Sequence, residues 1–223
     1  MTVIATVIKF ALVVLVSYLL GSLNFSIIFS KGVVKKDIRE SGSGNAGATN
    51  MLRTYGKKFA LLTMLGDIIK VAIAIIIAFL IFGSPIKYLF ASPTDPAELQ
   101  QIMFYKQFAG FFCVVGHIFP VFFKFKGGKG VAACTGMVIM VDWRIALILF
   151  VIFVIIVAIS KWISLGSITI AILYPVLLYV FYKNTIVTLI ALIFAVMVVV
   201  AHRQNIKRIL NKTENKISFK KKK

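Results

Sequence analysis

Two glycine-rich segments carry the side chains best suited to bind an anion. The first runs from Ser41 to Arg53 and reads SGSGNAGATNMLR. Glycines allow backbone conformations in which successive N–H groups point at one anion, and the nearby hydroxyl, amide and guanidinium groups add donors that a flexible linker would not need. The segment therefore predicts a phosphate-binding loop, with these candidate contacts: Gly42, Ser43, Gly44, Asn45, Thr49, Asn50 and Arg53.

The second segment runs from Gly116 to Gly130 and ends in KFKGGKG. Lys129 is flanked by glycines and precedes an apolar run, so loop N–H groups and the positive end of a helix would face the same anion. The segment is not a nucleotide-hydrolysing P-loop, because Gly130 and Val131 follow the lysine where that motif needs Ser or Thr. It predicts a phosphate cradle formed by Gly127, Gly128, Lys129 and Gly130.

Two shorter polar segments occur late in the chain. In KWISLGS, Ser164 or Ser167 either caps the helix that follows or binds an anion through its hydroxyl and N–H groups, and the segment alone favours the cap. His202 and Asn205 are three residues apart and would share a face if the last helix continues through them. Together the four segments predict a site rich in cations and hydrogen-bond donors that can bind phosphate.

Acidic residues are scarce, with 7 Asp and Glu against 26 Lys and Arg. The only acid within an apolar segment is Asp67, and Lys70 is its predicted partner. A magnesium site would need several carboxylates, and a Ser-His-Asp relay would need an orienting acid. We therefore expect no metal and no cofactor, and we expect His117 to be a buried structural histidine.

The elements that must position these groups are membrane helices. Because 60% of the 223 residues are hydrophobic and only 15% are charged, a soluble globule is excluded and an all-α, polytopic membrane protein is predicted. Asp142 and Arg144 would be expensive in lipid, so we place a break at Asp142. This gives about seven spans, which are 3–29, 59–82, 104–123, 131–141, 145–160, 166–182 and 185–201.

The net charge of +19 indicates how these spans are oriented. With the N-terminus outside and the C-terminus in the cytoplasm, 20 of the 26 Lys and Arg residues lie on the cytoplasmic side, as the positive-inside rule requires. The charge is then explained by topology and by anionic membrane lipids rather than by nucleic acid. All four polar segments lie at the cytoplasmic face of the predicted cell (inner) membrane.

The four motifs, taken in order, resemble those of the bacterial acyl-phosphate:glycerol-3-phosphate acyltransferase family, PlsY. The resemblance runs from about Gly21 to Glu214, which is nearly the whole chain. It is carried by GSGNAGATN, by GH with FKGGKGVA, by SLGS and by HRQNI.

This resemblance implies a seven-helix membrane enzyme that acylates the 1-hydroxyl of sn-glycerol 3-phosphate. The donor would be acyl phosphate, and the products would be 1-acyl-sn-glycerol 3-phosphate and phosphate, in the first step of phospholipid biosynthesis. Glu214 also matches the family pattern and is expected to be structural. By motif, the family's site residues around the two phosphate groups correspond to Ser43, Arg53, Lys129, Ser167, His202 and Asn205.

A transporter of phosphorylated lipid precursors is the alternative, since it would also place cations near anions. Its site is expected near the bilayer midplane, between repeats with broken helices, whereas these motifs cluster at the inner helix ends. The enzyme is therefore favoured. We expect one membrane-embedded domain over residues 1–223, with a basic cytoplasmic tail at 211–223, acting as a monomer.

Overall fold

A computed structural model describes residues 2–90 and 92–217, and within those residues the chain is helical with no strand. The predicted Lys220–Lys223 run lies outside the described residues. Short 3-10 turns occupy Ile38–Glu40, Ile86–Leu89 and Val121–Phe123. The α-helices are α1 (Val3–Ser22), α2 (Phe25–Gly32), α3 (Ala48–Tyr55), α4 (Lys57–Phe82), α5 (Pro96–Ile118), α6 (Val131–Val141), α7 (Trp143–Ser160), α8 (Ile163–Tyr182), α9 (Thr185–Ala201) and α10 (Arg203–Leu210).

Five of the described helices, α1, α4, α5, α7 and α8, are long and apolar enough to cross a membrane. A sixth span is possible if α9 and α10 count as one, although they are bent by 60° where they meet. The apolar α6 has 11 residues, or about 16 Å at 1.5 Å per residue. The all-helical membrane fold is thus confirmed, while seven spans and their orientation stay predictions.

The predicted span 3–29 is wrong in one respect, because the structure divides it into two helices. Asn24 interrupts the helix, since its side chain accepts a hydrogen bond from the Ile27 N–H at 3.2 Å and so caps α2. The predicted span 104–123 begins earlier, because Asp95 caps the Glu98 N–H at 2.8 Å and Pro96 suits a first helical position. The predicted break at Asp142 is confirmed, since this residue separates α6 from α7 in an extended conformation.

The chain forms two compact units, one ending at Asp142 and the other beginning at Trp143. In the first unit, α5 packs closely against α1. This approach depends on glycine: a Cβ at Gly21 would overlap the Cys113 backbone, and one at Gly116 would overlap the Tyr18 carbonyl. In the second unit, α8 packs against both α7 and α9. The prediction of a single acyltransferase domain stays a prediction.

Candidate functional site

The first loop, residues 41–50, is held in shape by Asn50, which is buried with 1% of its surface exposed. Its Nδ2 donates to the carbonyls of Ile38 (3.1 Å) and Ser41 (2.9 Å), and its Oδ1 accepts from the Ser43 N–H at 2.9 Å. Gly42 has a φ of +60°, and a Cβ there would overlap Asn50 Oδ1. Asn50 thus supports the loop, and the direct phosphate contact predicted for it would require these bonds to break.

The candidate ligand-facing groups of this segment are Ser43 and Arg53, both exposed, together with the partly exposed Asn45 and Thr49. Thr49 lies in the first turn of α3, and Arg53 follows one turn later. The N-terminus of α3 at Gly47 has no side-chain cap, and a helix N-terminus favours an anion. The phosphate contacts predicted for these residues stay a prediction.

The second loop, residues 125–130, returns onto the end of α5. The Gly127 N–H donates to the Ile118 carbonyl and the Gly128 N–H to the His117 carbonyl, both at 3.1 Å. These two N–H groups are therefore directed into the protein rather than at a ligand. Of the predicted cradle, this leaves Lys129 and Gly130 at the end of the loop. There Lys129 precedes Gly130, which has a φ of +82° and is the N-cap residue of α6, with no side-chain cap bond.

The structure brings the two loops into contact at Gly128. A Cβ at this residue would overlap the Ala46 carbonyl of the first loop and the ring of His117. Asn24 Nδ2 also donates to the Ala46 carbonyl, at 3.3 Å. The two predicted phosphate-binding segments thus meet inside the first unit through Ala46 and Gly128, which are 82 residues apart in the chain.

A buried charged network lies beneath the second loop. Lys70 Nζ is 2.8 Å from Asp67 Oδ1 and 3.0 Å from His117 Nδ1, which confirms the predicted Asp67–Lys70 pair. Lys70 Nζ also donates to the carbonyls of Gly21 (3.0 Å) and Leu23 (2.9 Å), which the break between α1 and α2 leaves without helical partners. His117 is 3% exposed, so its prediction as a buried structural residue is confirmed.

In the second unit, the prediction that Ser164 or Ser167 caps a helix is wrong. α8 begins at Ile163, and its N-cap residue Trp162 makes no side-chain cap bond, so both serines lie inside the helix. Ser167 Oγ donates to the Ile163 carbonyl at 2.9 Å. The alternative, in which the serines contact an anion, stays a prediction.

His202 and Asn205 lie at the bend after α9, and both are buried. His202 Nδ1 is 2.8 Å from the Val198 carbonyl; a carbonyl only accepts, so Nδ1 carries the hydrogen and Nε2 is the acceptor of the neutral ring. Asn205 Nδ2 donates to Glu214 Oε1 at 2.9 Å, and Arg208 Nε donates to Glu214 Oε2 at 2.8 Å. Glu214 thus supports Asn205.

The environment of Glu214 favours its ionised form. Burial by itself would raise the pKa of this carboxyl, but hydrogen bonds from Arg208 and Asn205 outweigh that effect and bring the pKa below its usual 4.5. Within residues 2–90 and 92–217, no three His, Cys, Asp or Glu residues are grouped so that they could hold a metal ion. That the activity needs no metal stays a prediction.

Arg39 contacts the second loop, although it is not among the residues predicted for the site. Its Nη1 donates to the carbonyls of Phe123 (2.9 Å) and Lys126 (3.2 Å). In the sequence, Arg39 is one of several basic residues in a polar segment, so only its nearness to Ser41 could have drawn attention to it.

The comparisons with known proteins agree on one family. A model of the family "Glycerol-3-phosphate acyltransferase" matches residues 11–212. A Mycoplasmopsis agalactiae protein named glycerol-3-phosphate acyltransferase is 40% identical, over 96% of this chain and 96% of its own length. A Bartonella henselae protein of the same name is 37% identical, over 92% of this chain and 90% of its own length.

Solved structures agree with this match. A crystal structure of PlsY (YgiH), an integral membrane glycerol 3-phosphate acyltransferase in its glycerol 3-phosphate form, has a TM-score of 0.79 and 34% identity. It is matched over 94% of this chain and 96% of that one. The lysophosphatidic acid form of PlsY has a TM-score of 0.76 and 33% identity, over 94% and 95% of the two chains.

Proposed function

Because this chain belongs to the glycerol-3-phosphate acyltransferase family, we propose that it transfers an acyl group from acyl phosphate to the 1-hydroxyl of sn-glycerol 3-phosphate. The products are 1-acyl-sn-glycerol 3-phosphate, or lysophosphatidic acid, and inorganic phosphate. The reaction is the first step of phospholipid biosynthesis. The observation that carries the proposal is the contact of two loops that present Ser43, Arg53 and Lys129 beside two uncapped helix N-termini.

Phosphate recognition is assigned to donors and cations. In the first unit, Ser43, Arg53 and Lys129 bind phosphate oxygens, aided by the first N–H groups of α3 and α6. In the second unit, Ser167, His202 and Asn205 serve the same purpose, with Ser164 nearby in α8. The similarity to PlsY structures in glycerol 3-phosphate and lysophosphatidic acid forms supports a site of this chemistry.

The reaction needs little from the protein beyond positioning and charge stabilisation. Acyl phosphate is an activated mixed anhydride, so the substrate hydroxyl oxygen attacks the acyl carbon and the carbon–oxygen bond to phosphate then breaks. The cations and N–H groups stabilise the tetrahedral oxyanion and the departing phosphate. A substrate phosphate oxygen takes the hydroxyl proton, with His202 Nε2 as the second possible acceptor. No acyl-enzyme is formed.

The site is placed at the cytoplasmic face of the cell (inner) membrane, with the N-terminus outside and the C-terminus inside. The distribution of Lys and Arg supports this orientation. Surplus lysines on that face attract anionic lipids, and the enzyme acts as a monomer.

The test uses the purified chain in detergent with acyl phosphate and glycerol 3-phosphate. Release of phosphate and of 1-acyl-sn-glycerol 3-phosphate in equal amounts is expected, without added divalent metal and with EDTA present. An acyl thioester offered in place of acyl phosphate should give no product. Full loss of activity with EDTA, or equal use of the thioester, would contradict the proposal.

A further inference from the structure

We propose that Arg39 is a positioning residue that holds the second loop in its phosphate-binding shape and couples it to the first loop. The inference rests on the proposed function, because it concerns the same phosphate site. Arg39 lies in the 3-10 turn Ile38–Glu40, directly before the first loop.

One edge of the Arg39 guanidinium is fixed by Asp37. Nε is 3.0 Å from Asp37 Oδ1, and Nη2 is 2.7 Å from Oδ2, which forms a two-pronged ion pair. Asp37 Oδ1 also accepts from the Arg39 N–H at 3.0 Å. Lys31 contributes a further contact at 3.0 Å to Asp37 Oδ2, but its side chain is 51% exposed. Asp37 therefore holds the guanidinium in a single orientation.

The other edge, Nη1, binds the Phe123 and Lys126 carbonyls on either side of a strained turn. Between these carbonyls lie Lys124 and Phe125, with φ values of 58° and 57°. Residues with side chains rarely adopt this left-handed conformation, so two in succession need support from outside the turn. A single NH₂ group of Arg39 provides that support by bridging the two ends.

The backbone on both sides of Arg39 is also fixed. Asn50 Nδ2 donates to the carbonyls of Ile38 and Ser41, and Asn50 Oδ1 holds the Ser43 N–H. Movement of the turn at residue 39 would therefore shift the first loop at Ser43 and the second loop ahead of Lys129. Only a planar guanidinium can bind a carboxylate with two groups and two carbonyls with a third, and a lysine ammonium cannot.

The test compares Arg39→Lys with Lys31→Ala. Both variants remove an interaction with Asp37, but Lys31→Ala leaves the bonds from Arg39 to the second loop in place. In Arg39→Lys we expect the KM for glycerol 3-phosphate to rise at least about five-fold with a smaller change in kcat, whereas Lys31→Ala should stay within about two-fold of wild type. Equal effects of the two substitutions would overturn the proposal.

A second measurement does not depend on activity. Hydrogen exchange of the Gly127 and Gly128 amides, in the protein without substrate, should be faster in Arg39→Lys than in wild type and unchanged in Lys31→Ala. Unchanged protection in Arg39→Lys would overturn the inference even where the wild-type enzyme acylates glycerol 3-phosphate. An inactive wild-type protein would instead contradict the proposed function and leave the exchange result to decide the role of Arg39.

A double substitution separates positioning from general stability. If Arg39 acts through the loop that carries Lys129, then Arg39→Lys should have little further effect on KM in a Lys129→Ala background. Fully multiplicative effects of the two substitutions would show that they act independently and would overturn the proposal.

Discussion

Ser43 lies between Gly42 and Gly44, whose φ values of +60° and +71° place both glycines in the left-handed region. The buried Asn50 amide fixes the backbone N–H of Ser43, while the Ser43 side chain stays exposed. Residues predicted alike as phosphate contacts thus have different roles. Asn50 supports the loop, whereas Ser43 and Arg53 are exposed. Which polar side chains can bind a ligand therefore depends on which of them already make hydrogen bonds within the protein.

Loss of a single phosphate contact should be visible in kinetics. Arg53→Ala and Lys129→Ala should each lower kcat/KM for glycerol 3-phosphate at least about ten-fold, because a hydrogen bond to a charged group contributes roughly 1.5–3 kcal/mol. Lys58→Ala is the matched control, since it removes an exposed cation near the start of α4. Steady-state kinetics of the three variants tests this, and wild-type values for either site variant would remove that residue from the site.

Between elements, the first unit depends on the close approach of α1 and α5. This approach allows Tyr18 OH to reach the Phe119 carbonyl at 2.9 Å and Ser22 Oγ to accept from the Val121 N–H at 3.3 Å. Both bonds fix the chain between α5 and the second loop. The packing of α1 against α5 thereby determines where the loop that carries Lys129 begins.

The glycine at this crossing should not tolerate a methyl group. Gly116→Ala would place a Cβ against the Tyr18 carbonyl, so α1 and α5 must separate and Tm should fall by several degrees. Gly32→Ala is the control, because a Cβ at Gly32 meets no other atom within 4 Å. Thermal unfolding in detergent compares the two, and equal Tm values would contradict the packing described for the crossing.

The turn between α2 and α3 should make stability depend on pH. Hydrogen bonds from Arg39 hold the pKa of Asp37 well below its usual 3.8, so the ionised form stabilises the fold. This contribution is fully present above pH 3.8 and is lost as the pH falls from there toward the lowered value. Asp37→Asn should therefore lower Tm at pH 7 and differ less from wild type at pH 3. A gap that widens toward pH 3 would contradict this sign.

For the whole molecule, the excess of basic residues has two separate causes. Most of the cations, such as those near the C-terminus, mark the predicted cytoplasmic side and suit anionic lipids. A few are part of the structure or of the site: Lys70 satisfies carbonyls at a helix break, Arg39 spans a strained turn, and Arg53 and Lys129 are assigned to phosphate. Net charge alone does not distinguish these groups.

Orientation can be measured with single cysteines at two loops that are predicted on opposite sides. Lys183, between α8 and α9, should be outside, and Lys161, between α7 and α8, should be inside. A membrane-impermeant maleimide should label Lys183→Cys in intact cells and Lys161→Cys only after permeabilisation. The unsubstituted protein is the control for Cys113 and Cys134. The reverse pattern would invert the proposed topology.

Composition and motif spacing were enough to predict the helical membrane class, the break at Asp142, the Asp67–Lys70 pair and the family. These features depend on local chemistry: apolar length, charges that lipid excludes, and side chains three residues apart. The break at Asn24 was missed because one cap within a long apolar run hardly alters its hydropathy. The serine cap was wrong because α8 begins before either serine.

The sequence by itself therefore determined the class of the protein and its family, whereas the residue types of its site stay a prediction. Only the tertiary structure decided that Asn50 supports a loop, that the Gly127 and Gly128 N–H groups point inward, and that Arg39 joins segments 84 residues apart. The reason is physical: a donor binds whichever carbonyl the folded backbone leaves without a partner, and that carbonyl is identified only when distant segments meet.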